Sequence, residues 1–390
     1  MHVLKITVKI LLVFILSILF ISTLVYYRTV IYNFPEIKKF TGNTWYNPYE
    51  KITHPPLKAN FHAHSIAWSG MTNGKDEPED IIKTYQAHGY DVISISNYHT
   101  IYENRQDPYF IPAYEHGYNM QKTHYNVLGA DKVSFFDYPF FQTASHKQQV
   151  IYTLQNHAEI LVINHPSVRN GFSLSDMEKL QNYQLIEVWN PFGRSEEHWD
   201  KALSAGHPVF LLANDDSHTL KKGSFKMWNM IYAAADKDSI YRALLAGRNY
   251  GVRKKKNDPP PFSFHLGVRN DSLMFVSTLL FDTIQLISDD AVLLKAELHA
   301  SQLNYPLGPS QTYARIKLIS NDFEILLNPV IRYNGNSLYD QYNRTIPVHS
   351  FRTSIFRAGV ALFHIFILFS VLRICGMRIP FSDSVWHQRK

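Results

Sequence analysis

The chain carries one cysteine in 390 residues, Cys375. This excludes a disulfide scaffold, and that thiol lies in an apolar C-terminal stretch far from the polar motifs, which argues against a cysteine nucleophile. No Gly-x-Ser-x-Gly elbow occurs, so serine-hydrolase chemistry has no visible seat either. Internal repeats of the polar motifs and low-complexity tracts are also missing. The net charge is only +6, and much of the excess sits in one cluster at residues 253–256. Without a basic face interleaved with aromatics, nucleic acid is not an expected partner; attraction to a membrane surface fits an anchored protein better, and a merely solvated linker fits best of all.

Long apolar runs are present at both ends. Residues 10–27 are of membrane-spanning length, preceded by Lys5 and Lys9 and followed by Arg28. No small-x-small cleavage site follows, so an uncleaved anchor is expected rather than a signal peptide. Residues 358–372, between Arg357 and Arg373, would rise only about 22 Å as a helix, against about 30 Å of hydrocarbon. Snorkelling of the two arginines makes a second span the preferred reading over an interfacial or core helix. Arg373, Arg378, Arg389 and Lys390, with Lys5 and Lys9, favour cytoplasmic termini. The intervening region then faces the periplasmic or extracytoplasmic side, with membrane lipids as neighbours.

Between these ends the chain reads as a mixed α/β protein. Short apolar runs at 57–61, 92–96, 160–163 and 209–213 resemble buried strands. Helical segments lie between them. Asp76-Glu-Pro-Glu79 reads as a capping box opening a helix to about His88, stopped by Gly89. Residues 144–157 and 195–205 read as further helices. The stretch 253–261, charged and then proline-rich, marks a linker. Beyond it, runs at 272–280, 283–288, 291–298 and 313–320 suggest an antiparallel sandwich. The expected division is 1–50 (anchor and juxtamembrane segment), 51–258 (α/β domain), 259–346 (β-rich domain) and 347–390 (C-terminal helix and basic tail).

At the carboxyl ends of the expected strands stand imidazole and carboxylate groups, the ligands of zinc, manganese and iron. They are His62-Ala-His64, Asn97-Tyr98-His99, Glu115, His124, Asn164-His165-Pro166 and Asp216-Ser-His218. Any one histidine among 19 carries little information, and His54, His88, His116, His157 and His207 are read as surface or hydrogen-bonded residues. The ordered set, each member after its own strand, predicts a multinuclear metal site. Glu187, at another strand end, is expected to support a ligand rather than be one.

In this order the motifs resemble those of the PHP (polymerase and histidinol phosphatase) metallohydrolases, over roughly residues 57–333. Residues 243–250 (Ala-Leu-Leu-Ala-Gly-Arg-Asn-Tyr), Trp228, Tyr313-Ala-Arg-Ile and Asn328-Pro329 are most similar to the carbaryl-hydrolase-like branch. The resemblance implies a distorted (β/α)7 barrel followed by a small all-β, sandwich-like domain, and a metal-dependent hydrolase, chiefly a phosphoesterase. It implies His62, His64, Glu115 and Asp216 around one divalent ion, with Glu115 bridging to a second held by His124 and His165, and His218 facing a third position. The ions would be zinc, manganese or iron, two and at most three of them. Where the family usually has Asp-His, this chain has Asn97-Tyr98, and Trp68-Ser-Gly70 replaces an acid or histidine; His99, one residue late, is the candidate substitute.

The catalytic residues expected are Glu115, His218 and His99, the histidines delivering a proton to the leaving group. Arg169, Arg194 or Lys221 would clamp an anionic substrate, small or lipid-linked. A carboxylic ester or carbamate is the alternative substrate, and an inactive metal-binding or partner-binding module the alternative of another class.

Overall fold

A computed structural model describes residues 2–377, apart from 105, 106, 108, 222, 336, 337 and 339–344. Arg378, Arg389 and Lys390, which carry part of the topology argument, lie outside the described residues.

In chain order the elements are helix α1 (His2–Thr23), strands β1 (Thr44–Tyr46) and β2 (Pro56–Asn60), helix α2 (Pro78–Ala87), strands β3 (Val92–Ile93), β4 (Ala113–His116) and β5 (Tyr125–Leu128), helix α3 (Ala144–Leu154) and strand β6 (Ile160–Ile163). Then come helix α4 (Leu174–Lys179), strands β7 (Leu185–Asn190) and β8 (Gly193–Arg194), helix α5 (Glu196–Ser204), strands β9 (Phe210–Ala213) and β10 (Met227–Tyr232), helix α6 (Lys237–Leu245) and strand β11 (Asn249–Lys254). The β-rich remainder comprises β12 (Phe264–Arg269), β13 (Ser272–Ser288), β14 (Val292–Pro306), β15 (Tyr313–Ile319), β16 (Phe323–Leu327) and β17 (Val330–Tyr333), closed by helix α7 (Ser350–Ile374).

Local chemistry explains most of these boundaries. The Thr143 and Ser173 hydroxyls cap α3 and α4, and the amide of each in return donates to the side chain of the third helical residue, His146 or Asp176. Helix α2 differs from expectation: Pro78 opens it after Glu77, which makes no side-chain cap, while the Asp76 carboxylate instead accepts the Leu220 amide at 2.8 Å. Glu79 and Asp80 in its first turn still favour the helix dipole. Gly206 follows α5 at φ +79°, where a Cβ would lie 1.9 Å from the Lys38 carbonyl; only glycine admits that passing strand of the N-terminal segment.

The strands form two sheets, and no closed barrel is found among the described residues. One has eleven strands along the path β1-β17-β15-β16-β11-β10-β2-β3, with β12, β13 and β14 joined through β15; the other has β4-β5-β6-β7-β8, with β9 on β7. The run at 92–96 gives only a two-residue strand, because the chain then curls: the Ser94 and Ser96 amides reach the Asn60 and Ala63 carbonyls outside a regular ladder. Two isolated parallel bridges, Tyr98 with Glu115 and Ala63 with Ser217, connect the two sheets at the strand ends. The linker expected at 253–261 does not interrupt the sheet, since β11 pairs with β16 from Tyr250–Leu327 to Lys254–Phe323. The runs at 272–280 and 283–288 are one strand, β13, with a register shift between Val276 and Phe281.

Both terminal helices are largely exposed, apolar and long enough to cross a membrane. Helix α7 has 25 residues rather than fifteen, about 37 Å at the usual rise, because the helix continues N-terminally through polar Ser350, Arg352 and Thr353. It packs on α1, with Thr23 Oγ1 3.1 Å from His364 Nε2 and the Phe20 ring edge-on to the same imidazole at 4.6 Å. Two such helices at the termini point to membrane association.

Candidate metal centre

The site forms where β2, β4, β6 and β9 end and the curled segment after β3 passes them; His124 joins it from just before β5 rather than, as expected, from after a strand. Among the non-glycine residues of these strand-end loops that adopt positive φ are three at the site itself, His99 at 49°, His165 at 27° and Asp216 at 43°. Such conformations are costly and persist only where the surroundings impose them, which is commonly at functional sites.

His62, His64, Glu115, His124, His165 and Asp216 are all buried. Glu115 is the hub. Its Oε2 lies 3.5 Å from His62 Nε2 and 3.2 Å from His64 Nε2, and its Oε1 lies 2.8 Å from His124 Nδ1 and 3.3 Å from His165 Nε2. Asp216 Oδ1 lies 3.2 Å from His62 Nε2, 3.3 Å from His64 Nε2 and 3.6 Å from His218 Nε2. Three overlapping groups of ligand atoms result, each spanning no more than 4.8 Å: His62, His64 and Glu115; His64, Asp216 and His218; Glu115, His124 and His165.

The hydrogen bonds around these groups fit a cation. Glu115 Oε2 and Asp216 Oδ1 are buried acceptors that receive no hydrogen bond, an arrangement costly in a polar interior unless a positive charge faces it. His62 Nδ1–H donates to Glu187 Oε1 at 3.0 Å, the tautomer that leaves the Nε2 lone pair directed at the cluster. Glu187, as expected, touches ligands rather than joining them: it also accepts the His165 amide and the Asn190 and Asn214 side-chain amides.

Charge balance is tight. Burial opposes charge on His62, yet Asp216, Glu187 and Glu115 hold its pKa well above the usual imidazole value. The pKa values of His64 and His165 are also raised against their burial, by the Asp216 and Glu115 carboxylates beside them. Burial would raise Glu115, but His124 and His62 hold it well below the carboxylate range, and Asp216 is lowered likewise by His62 and His64. Burial lowers His124, and burial with the His64 charge lowers His218 to about 4. Protons and divalent cations compete for such a donor set.

The structure brings His218 to the mouth of the site, half-buried, its ring stacked on His64 at 4.4 Å. It does not bring His99 there. Nδ1 of His99 bonds the Ser134 carbonyl at 3.0 Å, Nε2 accepts the Gly117 amide at 3.1 Å, and Phe135 stacks on the ring. Tyr98 takes the inward place instead, stacked on His64 at 4.5 Å, while Asn97 binds Ser65 through both ends of its amide. Burial, then the charges of Glu115 and Asp216, raise the Tyr98 pKa, so the hydroxyl remains a donor.

Of the three expected anion clamps, one is engaged elsewhere. Arg194 pairs with Glu196 at 2.8 Å and Glu324 at 3.0 Å, and Arg169 and Lys221 are exposed. His54, His88, His116, His157 and His207 stand outside all three ligand groups.

Three asparagines escape a reading of the sequence for ligands. Asn164 donates to Glu115 Oε1 at 3.2 Å, Asn190 to Asp216 Oδ2 at 3.1 Å, and Asn214 to Glu187. Their only signal is position, since each ends a strand next to an acid, histidine or proline. No family model matches the chain, and no curated protein or solved structure matches it.

Proposed function

We propose that the protein is a membrane-anchored, metal-dependent hydrolase of PHP type that cleaves phosphoester bonds. The observation that carries this reading is the sharing of Glu115 between two buried imidazole groups, with one oxygen of Glu115 and one of Asp216 receiving no hydrogen bond. The distorted barrel implied by the resemblance has support in connectivity: β2, β3, β4, β5, β6, β7 and β9 follow one another through ladders and the two isolated bridges, returning from Ser217 to Ala63.

His62, His64 and Asp216 would hold one ion, His124 and His165 a second, with Glu115 between them. Divalent ions bound there supply Lewis acidity and a water of lowered pKa, which dispenses with a serine or cysteine nucleophile. Glu187 fixes the His62 tautomer, Asn164 and Asn190 orient the two carboxylates, and the Tyr98 hydroxyl offers a hydrogen bond at the wall of the site. His218, nearest to solvent and kept neutral by its lowered pKa, is placed to accept a hydrogen bond at the mouth of the site rather than to give a proton to the leaving oxygen.

The test is a screen of the full chain, loaded with zinc, manganese or iron, against phosphomonoesters, phosphodiesters, carboxylic esters and carbamates. Turnover of a phosphoester, abolished by chelator and restored by metal, is expected. Turnover of the carboxylic esters or carbamates alone would change the substrate class. Metal binding without any turnover would favour an inactive module, a reading that Tyr98 in place of histidine motivates.

A further inference from the structure

The candidate metal centre opens through loops that carry large apolar side chains into solvent. Trp68, Tyr118, Met120, Phe135, Phe141 and Phe192 are each at least 45 % exposed. Single exposed apolar residues mean little, whereas a contiguous set marks an interaction surface.

Trp68, Phe135 and Tyr118 adjoin one another, Phe192 flanks His218, and backbone bonds tie in the loops that carry Met120 and Phe141. Phe192 lies 6.1 Å, ring to ring, from His218. Across the mouth, Trp68 Nε1 donates to the Tyr98 carbonyl at 2.7 Å, and its ring is 6.3 Å from that of Phe135. The Phe135 carbonyl accepts the Tyr118 hydroxyl at 3.4 Å, and the Met120 amide donates to Pro139 at 2.9 Å. The row then reaches Phe141, whose carbonyl accepts the Tyr26 hydroxyl at 3.0 Å and whose amide donates to it at 3.2 Å.

Tyr26 belongs to the N-terminal apolar segment Val3–Arg28. Arg28, the last residue of that segment, places its guanidinium 4.5 Å from the centre of the Phe136 ring. A basic residue that ends a membrane-spanning run sits at headgroup level, so the loop bearing Phe135 and Phe141 lies at that depth. Beside Phe141 a cavity of about 590 Å³ opens between the terminal helices, walled by Leu19, Phe356, Val360 and Phe363. The Thr23 and Tyr26 hydroxyls there are spent on the Leu19 and Phe141 carbonyls. Walls of that kind at that depth suit hydrocarbon and nothing polar.

We infer that this apolar row seats the hydrocarbon tail of a membrane amphiphile whose phosphoester head reaches the metal centre, so that the substrate is a lipid-linked phosphoester taken from the bilayer in which the protein is anchored. The inference rests on the phosphoesterase reading above, to which it adds the substrate class. The tail runs from the cavity at Phe141 past Tyr118 to Phe135 and Trp68, and the head enters between Tyr98 and His218. No charged side chain is needed as an anion clamp if the head is drawn in by its tail and held by the ions.

The test uses the full chain in detergent, loaded with manganese, titrated calorimetrically with methyl phosphonate and with octyl phosphonate, whose C–P bond is not an ester and is not hydrolysed. A half-buried methylene is worth about a twofold gain in affinity, so octyl phosphonate should bind on the order of 100-fold more tightly. In the Phe135→Ser, Trp68→Ser double variant that ratio should fall at least about tenfold, which separates the row from simple partition into micelles. Both side chains are exposed, so folding of the variant is checked by its circular dichroism, and Phe141→Ser gives an independent second variant. Methyl phosphonate binding with no gain for octyl phosphonate, or a gain that both variants retain, would overturn the apolar row alone. No binding of methyl phosphonate to the metal-loaded protein would overturn the metal-centre reading and, with it, the row as a substrate path.

Discussion

At the scale of single residues, the account turns on which side chains face the ions and which hold those that do. Glu115 lies between both imidazole groups, one carboxylate oxygen towards each, so Glu115→Gln, which keeps shape and removes charge, should lower metal content and cost more turnover than His218→Ala. Glu187 acts one step further out, through His62 and the His165 amide. Glu187→Gln should weaken metal affinity by about 10–100-fold, read by competition with a fluorescent chelator; full affinity in that variant would remove the support assigned to it. The ligands are legible in the sequence because metal binding requires their side-chain types outright. Asn164, Asn190 and Asn214 are not, because an asparagine at a strand end reads equally well as a turn residue. His99 misleads for a related reason: at φ 49° its side chain leaves the direction that strand alternation would give it, and Tyr98 fills the site.

At the scale of elements, α5 is pinned to the β-rich sheet by buried charge. Arg315 on β15 forms a two-pronged pair with Asp200 on α5 at 2.7 and 2.6 Å, and the Tyr313 hydroxyl adds a third bond at 3.0 Å. Asp200→Ala would leave a buried, unpaired guanidinium, so it should destabilise the protein by about 3–5 kcal/mol in denaturant unfolding. A loss below about 1 kcal/mol would show that water reaches Arg315. One turn earlier, burial opposes ionisation of Glu196, but Lys317 and Arg315 bring its pKa from 4.5 down to about 2. A depressed carboxylate stabilises the fold at pH values above its unfolded pKa and loses that contribution as pH falls through the folded one. The melting temperatures of wild type and Glu196→Gln should therefore differ at pH 6 and converge as pH falls from about 4.5 towards 2; a constant gap across that window would contradict the pairing. Elements such as β6 and α3 are legible from their apolar run and cap. The single sheet across the linker at 253–261 is not, since pairing of β11 with β16 depends on partners some seventy residues apart, about which local composition is silent.

At the scale of the whole molecule, α1 leads into residues 29–349 and α7 leads out beside it, bringing the described helix ends that adjoin the domain together through Arg357 Nε and the Thr29 carbonyl at 3.0 Å. If both helices span, the metal centre and both β-sheets lie on one side and the termini on the other. Lys256→Cys in a Cys375→Ser background should then react with a membrane-impermeant maleimide on intact cells; labelling only after lysis would put the metal centre in the cytoplasm. Everything else in the functional reading depends on whether the buried donors hold ions. The most direct measurement is elemental analysis of the full chain purified without chelator: about two divalent ions per chain are expected of a two-metal hydrolase site, falling in the Glu115→Gln variant, whereas a content near zero in folded protein would contradict the account.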